Sequence, residues 1–130
     1  MKLGVLDAGV AIRWLLRGHG SLSKLEALFA SCRSQQRRLV ISVVNLVEVL
    51  KHTAEAARSV GHDPLVLLRA QGVEVHVPDE VIARRVARLP TSLADGFAAA
   101  TAQELGARLH TTDAELVAQL KGTRLPITRY

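Results

Sequence analysis

"LADGFAAATAQELGARLHTTDAEL", residues 93–116, holds one aspartate where a helix should begin and another just past the end of a short strand. "SLADGFAAATAQELGA" reads as a helix, "RLHTT" as a strand and "DAELVAQLKG" as the next helix. Towards the amino terminus the same alternation recurs. "LGVLD" is a short apolar run ending in an acid, and "AGVAIRWLLRG" follows at helical spacing up to the stop signal Gly18. "SLSKLEALFASCRSQQRR" is a second helix, with Ser21 as N-cap and Leu22, Leu25, Leu28 and Phe29 on one stripe. "RLVIS" is a strand, and "VVNLVEVLKHTAEAARSV" a helix closed by Gly61, whose apolar positions 43, 46, 47, 50 and 54 fall on one face.

"DPLVLLRAQG" carries Pro64 in its first turn and Gly72 past its end, as helices do. "VEVHV" alternates as a strand, and "PDEVIARRVARL" is a helix opened by Pro78. Beyond the quoted stretch, "RLPIT" is a last strand, which Pro126 places at a sheet edge. Short apolar strands alternating with helices specify an α/β fold: three layers, α/β/α, around a central parallel sheet of four to five strands. Residues 1–130 are expected to form a single domain. In such a sheet the ligand crevice lies beyond the carboxyl ends of the strands.

The composition agrees. Hydrophobic residues make up 48% and charged residues 22%, with only 3% aromatic, the balance of a globular protein with an aliphatic core. Lys and Arg number 17 against 12 Asp and Glu, a formal charge of +5, which is compatible with a polyanionic partner. A lone Cys32 excludes an internal disulfide and suggests a reducing compartment. No signal-like apolar segment or spanning run is present, so the cytoplasm is expected and a membrane is not.

Asp7 and Asp113 both follow strands and could be plain N-caps. Asp95, three residues after Ser92, could be the acidic member of a capping box. Glu48 lies too deep in its helix to cap it, about 140° from the centre of the apolar stripe, where a solvated flank is the ordinary outcome. Topology adds that Asp7, Asp95 and Asp113 could converge at one end of the sheet, with Glu48 in reach. Carboxylates gathered without counter-charge repel, and a hard divalent cation such as Mg²⁺ or Mn²⁺ relieves this. An all-carboxylate site of this kind suits hydrolysis of phosphodiesters.

These residues resemble the PIN domains, especially the ribonuclease toxins of toxin-antitoxin pairs called VapC. The likeness rests on "VLDAGVAIRWLL", "ISVVNLVEVL", "LADGFAAATAQELGA" and "LHTTDAEL", in that order, and runs from residue 3 to about 120. It implies an acidic site of Asp7, Glu48, Asp95 and Asp113 holding one or two Mg²⁺ or Mn²⁺ ions. It also implies that Thr111 positions a ligand or water, and that the activity is metal-dependent hydrolysis of RNA. A homodimer and a cognate antitoxin protein follow by the same likeness. One departure stands out. Many members carry Ser, Thr or Asn two residues after the first acid, and here that position is Gly9. Gly96, where Ala is commoner, is a smaller one.

Trp14 matches the family's "WLL" segment but reads first as a core aromatic, Cys32 as a small buried residue, and His52 as a surface residue that could also reach a phosphate. Arg37, Arg38 and Lys51 are candidate RNA contacts, because backbone binding needs only positive charge within reach. A phosphorelay receiver would need two acids after the first strand and a lysine near the last; a haloacid-dehalogenase-like phosphatase would need an acid at position 9. The alternative that Gly9 keeps open is a catalytically weak or inactive PIN-like module that binds RNA or protein.

Overall fold

The computed structural model describes residues 1–17 and 23–130. Five strands, β1 (Lys2–Leu6), β2 (Arg37–Ser42), β3 (Glu74–His76), β4 (Arg108–Thr111) and β5 (Ile127–Arg129), form one sheet. Its order is β3-β2-β1-β4-β5 and every pairing is parallel. Among the described residues, seven helices connect them: α1 (Ala8–Leu15), α2 (Ser23–Arg33), α3 (Val43–Val60), α4 (Pro64–Ala70), α5 (Glu80–Arg88), α6 (Leu93–Leu105) and α7 (Ala114–Gln119). The sequence expectation of an α/β/α arrangement around a parallel sheet holds, and β5 is at an edge.

Alternation along each strand sends side chains to opposite faces. Leu6, Leu39 and Ile41 meet α1, α2, α3 and α4 through Val10, Trp14, Phe29, Val49 and Leu68. Val5, Val40 and Leu109 meet α6 and α7 through Ala98, Ala99, Ala102, Leu116 and Leu120. Small alanines let α6 lie close to the sheet, and they explain why a core with so few aromatics still fills. Trp14 is in that core, stacked on Phe29 with ring centroids 4.5 Å apart, and Cys32 is buried and free.

The helix ends follow local chemistry. Asp7, Ser42, Asp63, Ser92 and Asp113 each stand at an N-cap and accept from backbone N–H groups of the first turn. α5 is capped by Asp79, whose carboxylate accepts from Ile82; Pro78 stands before the cap and does not open the helix. Gly61 closes α3 with a left-handed φ of 72°. Gly18, Ser21 and Leu22, expected to end one helix and begin the next, lie outside the described residues, whereas Leu25, Leu28 and Phe29 are buried as expected.

α3 corrects the sequence reading. Of the positions expected to face the core, only Leu46 is deeply buried; Val47, Leu50 and Ala54 are exposed. The buried face is Asn45, Leu46, Val49 and Thr53. Two of these are polar and internally satisfied in part: the Thr53 hydroxyl donates to the Val49 carbonyl at 2.7 Å and the Asn45 amide to the Ala94 carbonyl at 2.9 Å. A pattern scored on apolarity alone cannot find such a face. No helix among the described residues is long and apolar enough to cross a membrane.

Candidate active site

The chain builds β1, β2 and β3 in one direction and then returns to add β4 and β5 on the other side of β1. The order therefore reverses between β1 and β4, and the loops leaving their carboxyl ends diverge around a crevice. Register places Leu6 beside His110, so the next residues, Asp7 and Thr111, meet at its rim.

They meet through a hydrogen bond: the Thr111 hydroxyl donates to Asp7 Oδ2, while Oδ1 accepts from the Val10 N–H at 2.9 Å. Asp7 is only 4% exposed, so these contacts fix its orientation. Burial pushes its carboxyl above the ordinary range, the Thr111 and Val10 bonds oppose this, and the charge of Asp95 adds to it. Thr111 Oγ1 also accepts from the Asp113 N–H at 3.0 Å. The Asp113 carboxylate accepts through Oδ1 from Glu115 (2.9 Å) and Leu116 (3.3 Å). Capping thus consumes one oxygen of Asp113 and leaves Oδ2 without a donor among the described residues.

Asp95 stands in the first turn of α6, where its own N–H reaches Ser92 Oγ at 3.4 Å. The Asp95 carboxyl pKa is raised, first by burial and also by the charge of Asp113, while a side-chain hydrogen bond with Ser92 works to lower it. Glu48 projects from the second turn of α3 and is not the solvated flank that helical geometry suggested. Its Oε1 is sealed from water without a hydrogen-bond partner, and its carboxyl is pushed up by burial and by Asp95. Asn45, one turn earlier, anchors α3 to the start of α6 and has its own Oδ1 buried and unpartnered. Sequence reading passed over it; an Asn among apolar residues three positions before an acid was the available signal.

The charge of Asp95 thus bears on Asp7 and Glu48, and that of Asp113 on Asp95. The four acids occupy one electrostatic neighbourhood. Among the described residues, no three His, Cys, Asp or Glu side chains converge into a preassembled metal cage. The donor set nevertheless suits a hard cation: acceptor-only carboxylate oxygens, with raised pKa values at Asp7, Glu48 and Asp95, and a buried Glu48 oxygen lacking any donor. Mg²⁺ keeps several waters and needs only one or two direct carboxylates.

The missing side chain at Gly9 has a spatial substitute. A Cβ there would overlap the Thr112 hydroxyl, and would lie 3.5 Å from Asp7 Oδ1. Sequence reading gave Thr112 no role. Gly96 is similarly dictated by crowding, since a Cβ would lie 2.9 Å from Thr91 Oγ1 and 3.0 Å from Val86 Cγ1 of the helix packed on it.

The proposed RNA contacts divide. Lys51 is exposed on α3, close in sequence to Glu48. Arg37 and Arg38 open β2, at the end of the sheet opposite the acids, and Arg38 is paired with Glu74 at 2.8 Å. His52 is exposed and its Nδ1 lies 3.1 Å from the Glu48 carbonyl, within its own helix.

Comparison with known proteins agrees with this architecture. The chain is similar throughout its length to a member of the VapBC family of toxin-antitoxin systems, VapBC-5, from Mycobacterium tuberculosis. Identity is 25% and the TM-score 0.65, covering 100% of both chains. It shares its fold with VapBC2 from Rickettsia felis, solved bound to a DNA fragment from their promoter (16% identity, TM-score 0.72, 98% of each chain). It also shares it with a toxin-antitoxin complex from Klebsiella pneumoniae (19% identity, TM-score 0.69, 98% of each chain). No curated protein matches the chain by sequence. The PIN domain model matches residues 4–120, which span every candidate acid, and the chain belongs to the PIN domain family.

Proposed function

We propose that this protein is a divalent-metal-dependent endoribonuclease, the toxin of a VapBC-type pair. The observation that carries the reading is the mutual electrostatic effect of Asp7, Glu48, Asp95 and Asp113 at the sheet's switch point. Family membership and the full-length likeness to VapBC-5 support it.

In this reading the four carboxylates hold Mg²⁺ or Mn²⁺, which would supply an activated water and neutralise charge on the scissile phosphate. The chain's own residues supply the rest. Asp7 is aimed by two donors and Asp113 by two, so neither must reorganise when substrate arrives. Thr111 links the two acids, donating to Asp7 and accepting from the Asp113 backbone, and acts as a positioning residue. Lys51, exposed on α3 three residues after Glu48, would lend positive charge to the RNA backbone. An antitoxin partner belongs to the same proposal, supported by the toxin-antitoxin complexes among the structural relatives; that it covers the acidic crevice, and that the protein is a homodimer, rest on the family resemblance alone.

The test is cleavage of a mixed RNA pool by purified protein with Mn²⁺, with Mg²⁺ and with EDTA, beside Asp7→Asn and Asp95→Asn. Metal-dependent cleavage lost in both variants supports the reading. Equal cleavage by all three proteins points to a contaminant and removes the support. No cleavage, with no metal bound in titration, selects the PIN-like binding module instead.

A further inference from the structure

The sheet face that carries α1 and α2 is open around the amino-terminal ends of β1, β2 and β4 and beside β5, away from the acids. An open cavity of about 570 Å³ lies there, lined among others by Lys2, Arg37, Arg108, His110, Thr128 and Tyr130. Register explains the gathering: Lys2 pairs with Arg37 and Thr128 with His110, and Arg108 stands two residues before His110, so all project to one side. No Asp or Glu side chain lines the cavity among the described residues. Its volume falls within the range of small-molecule sites.

The polar groups form a directed chain. Arg37 can only donate, so its NH1, 3.3 Å from His110 Nε2, makes that nitrogen the acceptor. The imidazole proton is then on Nδ1 and is donated to the Tyr130 hydroxyl oxygen at 2.8 Å. The phenolic proton remains unspent. Arg37 Nε is also buried without a partner. His110 is 1% exposed, so its ring is held between Arg37 and Tyr130. The ring sits against Gly4, where a Cβ would lie 2.7 Å from Nε2. The cavity is therefore rich in donors and positive charge and poor in acceptors. A phosphate group, which carries acceptors and negative charge alone at its oxygens, is its chemical complement.

We propose that this cavity is an anion site, separate from the acidic crevice, that takes the phosphate of a small nucleotide-sized ligand through Lys2, Arg37, Arg108 and the Tyr130 hydroxyl. The proposal does not depend on nuclease activity. The test is an NMR titration of the His110 imidazole and Tyr130 ring signals with AMP, inorganic phosphate and adenosine, in EDTA so that no metal recruits phosphate to the acids. Expected are saturable shifts with AMP, and none with adenosine. Shifts with inorganic phosphate alone would mean that the anion supplies the affinity, and weaker ones that the nucleoside adds to it. Arg108→Gln and Lys2→Gln are exposed substitutions that spare the core; each should weaken AMP about tenfold, the worth of one lost charged hydrogen bond. Tyr130→Phe should weaken it while leaving the fold intact. No saturable shift with AMP, equal shifts with adenosine, or unaltered binding in Arg108→Gln and Lys2→Gln would each overturn the assignment.

Discussion

The hydroxyl of Thr112 occupies the space that a side chain at Gly9 would need, beside Asp7. A polar group close to the first acid is thus delivered from the β4 end of the crevice instead of from α1. Gly9→Ser alone is expected to lose stability and activity, because the new Cβ and Thr112 cannot coexist without a shift. Gly9→Ser combined with Thr112→Ala should recover much of both. Thermal melts and RNA cleavage of the two variants check this; equal damage in single and double variants would refute the exchange.

Thr111 joins Asp7 to the Asp113 backbone. Thr111→Val should lower the rate about 10- to 100-fold, the usual cost of losing a group that orients a metal ligand, while Thr111→Ser keeps most of it. Metal titration alongside the rate assay distinguishes lost positioning from lost folding.

Asp7, Glu48 and Asp95 all have raised pKa values in the fold. The folded state then binds protons more tightly than the unfolded one, so without metal this contribution makes stability fall as pH rises from the ordinary carboxylate range through the raised values. Asp95→Asn in EDTA at pH 7 should melt higher, on the order of 4 °C for about 1 kcal/mol of desolvation and repulsion relieved. Adding Mn²⁺ should raise the wild-type midpoint more than the variant's. A lower midpoint for Asp95→Asn in EDTA would contradict the shared neighbourhood.

The face assignment of α3 separates Leu46, 5% exposed, from Leu50, 37% exposed. Leu46→Ala should cost about 2–5 kcal/mol in urea unfolding, by cavity formation and lost burial. Leu50→Ala should cost well under about 1 kcal/mol. The reverse order would restore the face expected from apolarity.

His110 titrates near 4 in the fold against 6.5 ordinarily. The unfolded chain takes up its proton first, so the stability contributed by the neutral ring is present above about 6.5 and is lost as pH falls towards 4. Measured as the difference between wild type and His110→Asn, the loss should reach up to roughly 3 kcal/mol. A difference flat across that window would show that the ring titrates normally.

The sequence by itself determined the element order, the parallel sheet, the edge position of β5 and the acids at the ends of β1 and β4, because strand length, helix caps and Pro126 act locally. It also marked Asp7, Glu48, Asp95, Asp113 and Thr111 for one site, through motifs whose spacing reflects that fold. Tertiary structure alone decided which face of α3 is buried, since Asn45 and Thr53 become inward residues only when Ala94 and the Val49 carbonyl accept their hydrogens. It likewise decided that Arg37 stands far from the acids but beside His110, and that Thr112 fills the space at Gly9. Contacts between residues 73 or 103 positions apart depend on sheet register and packing, and no local pattern carries that information.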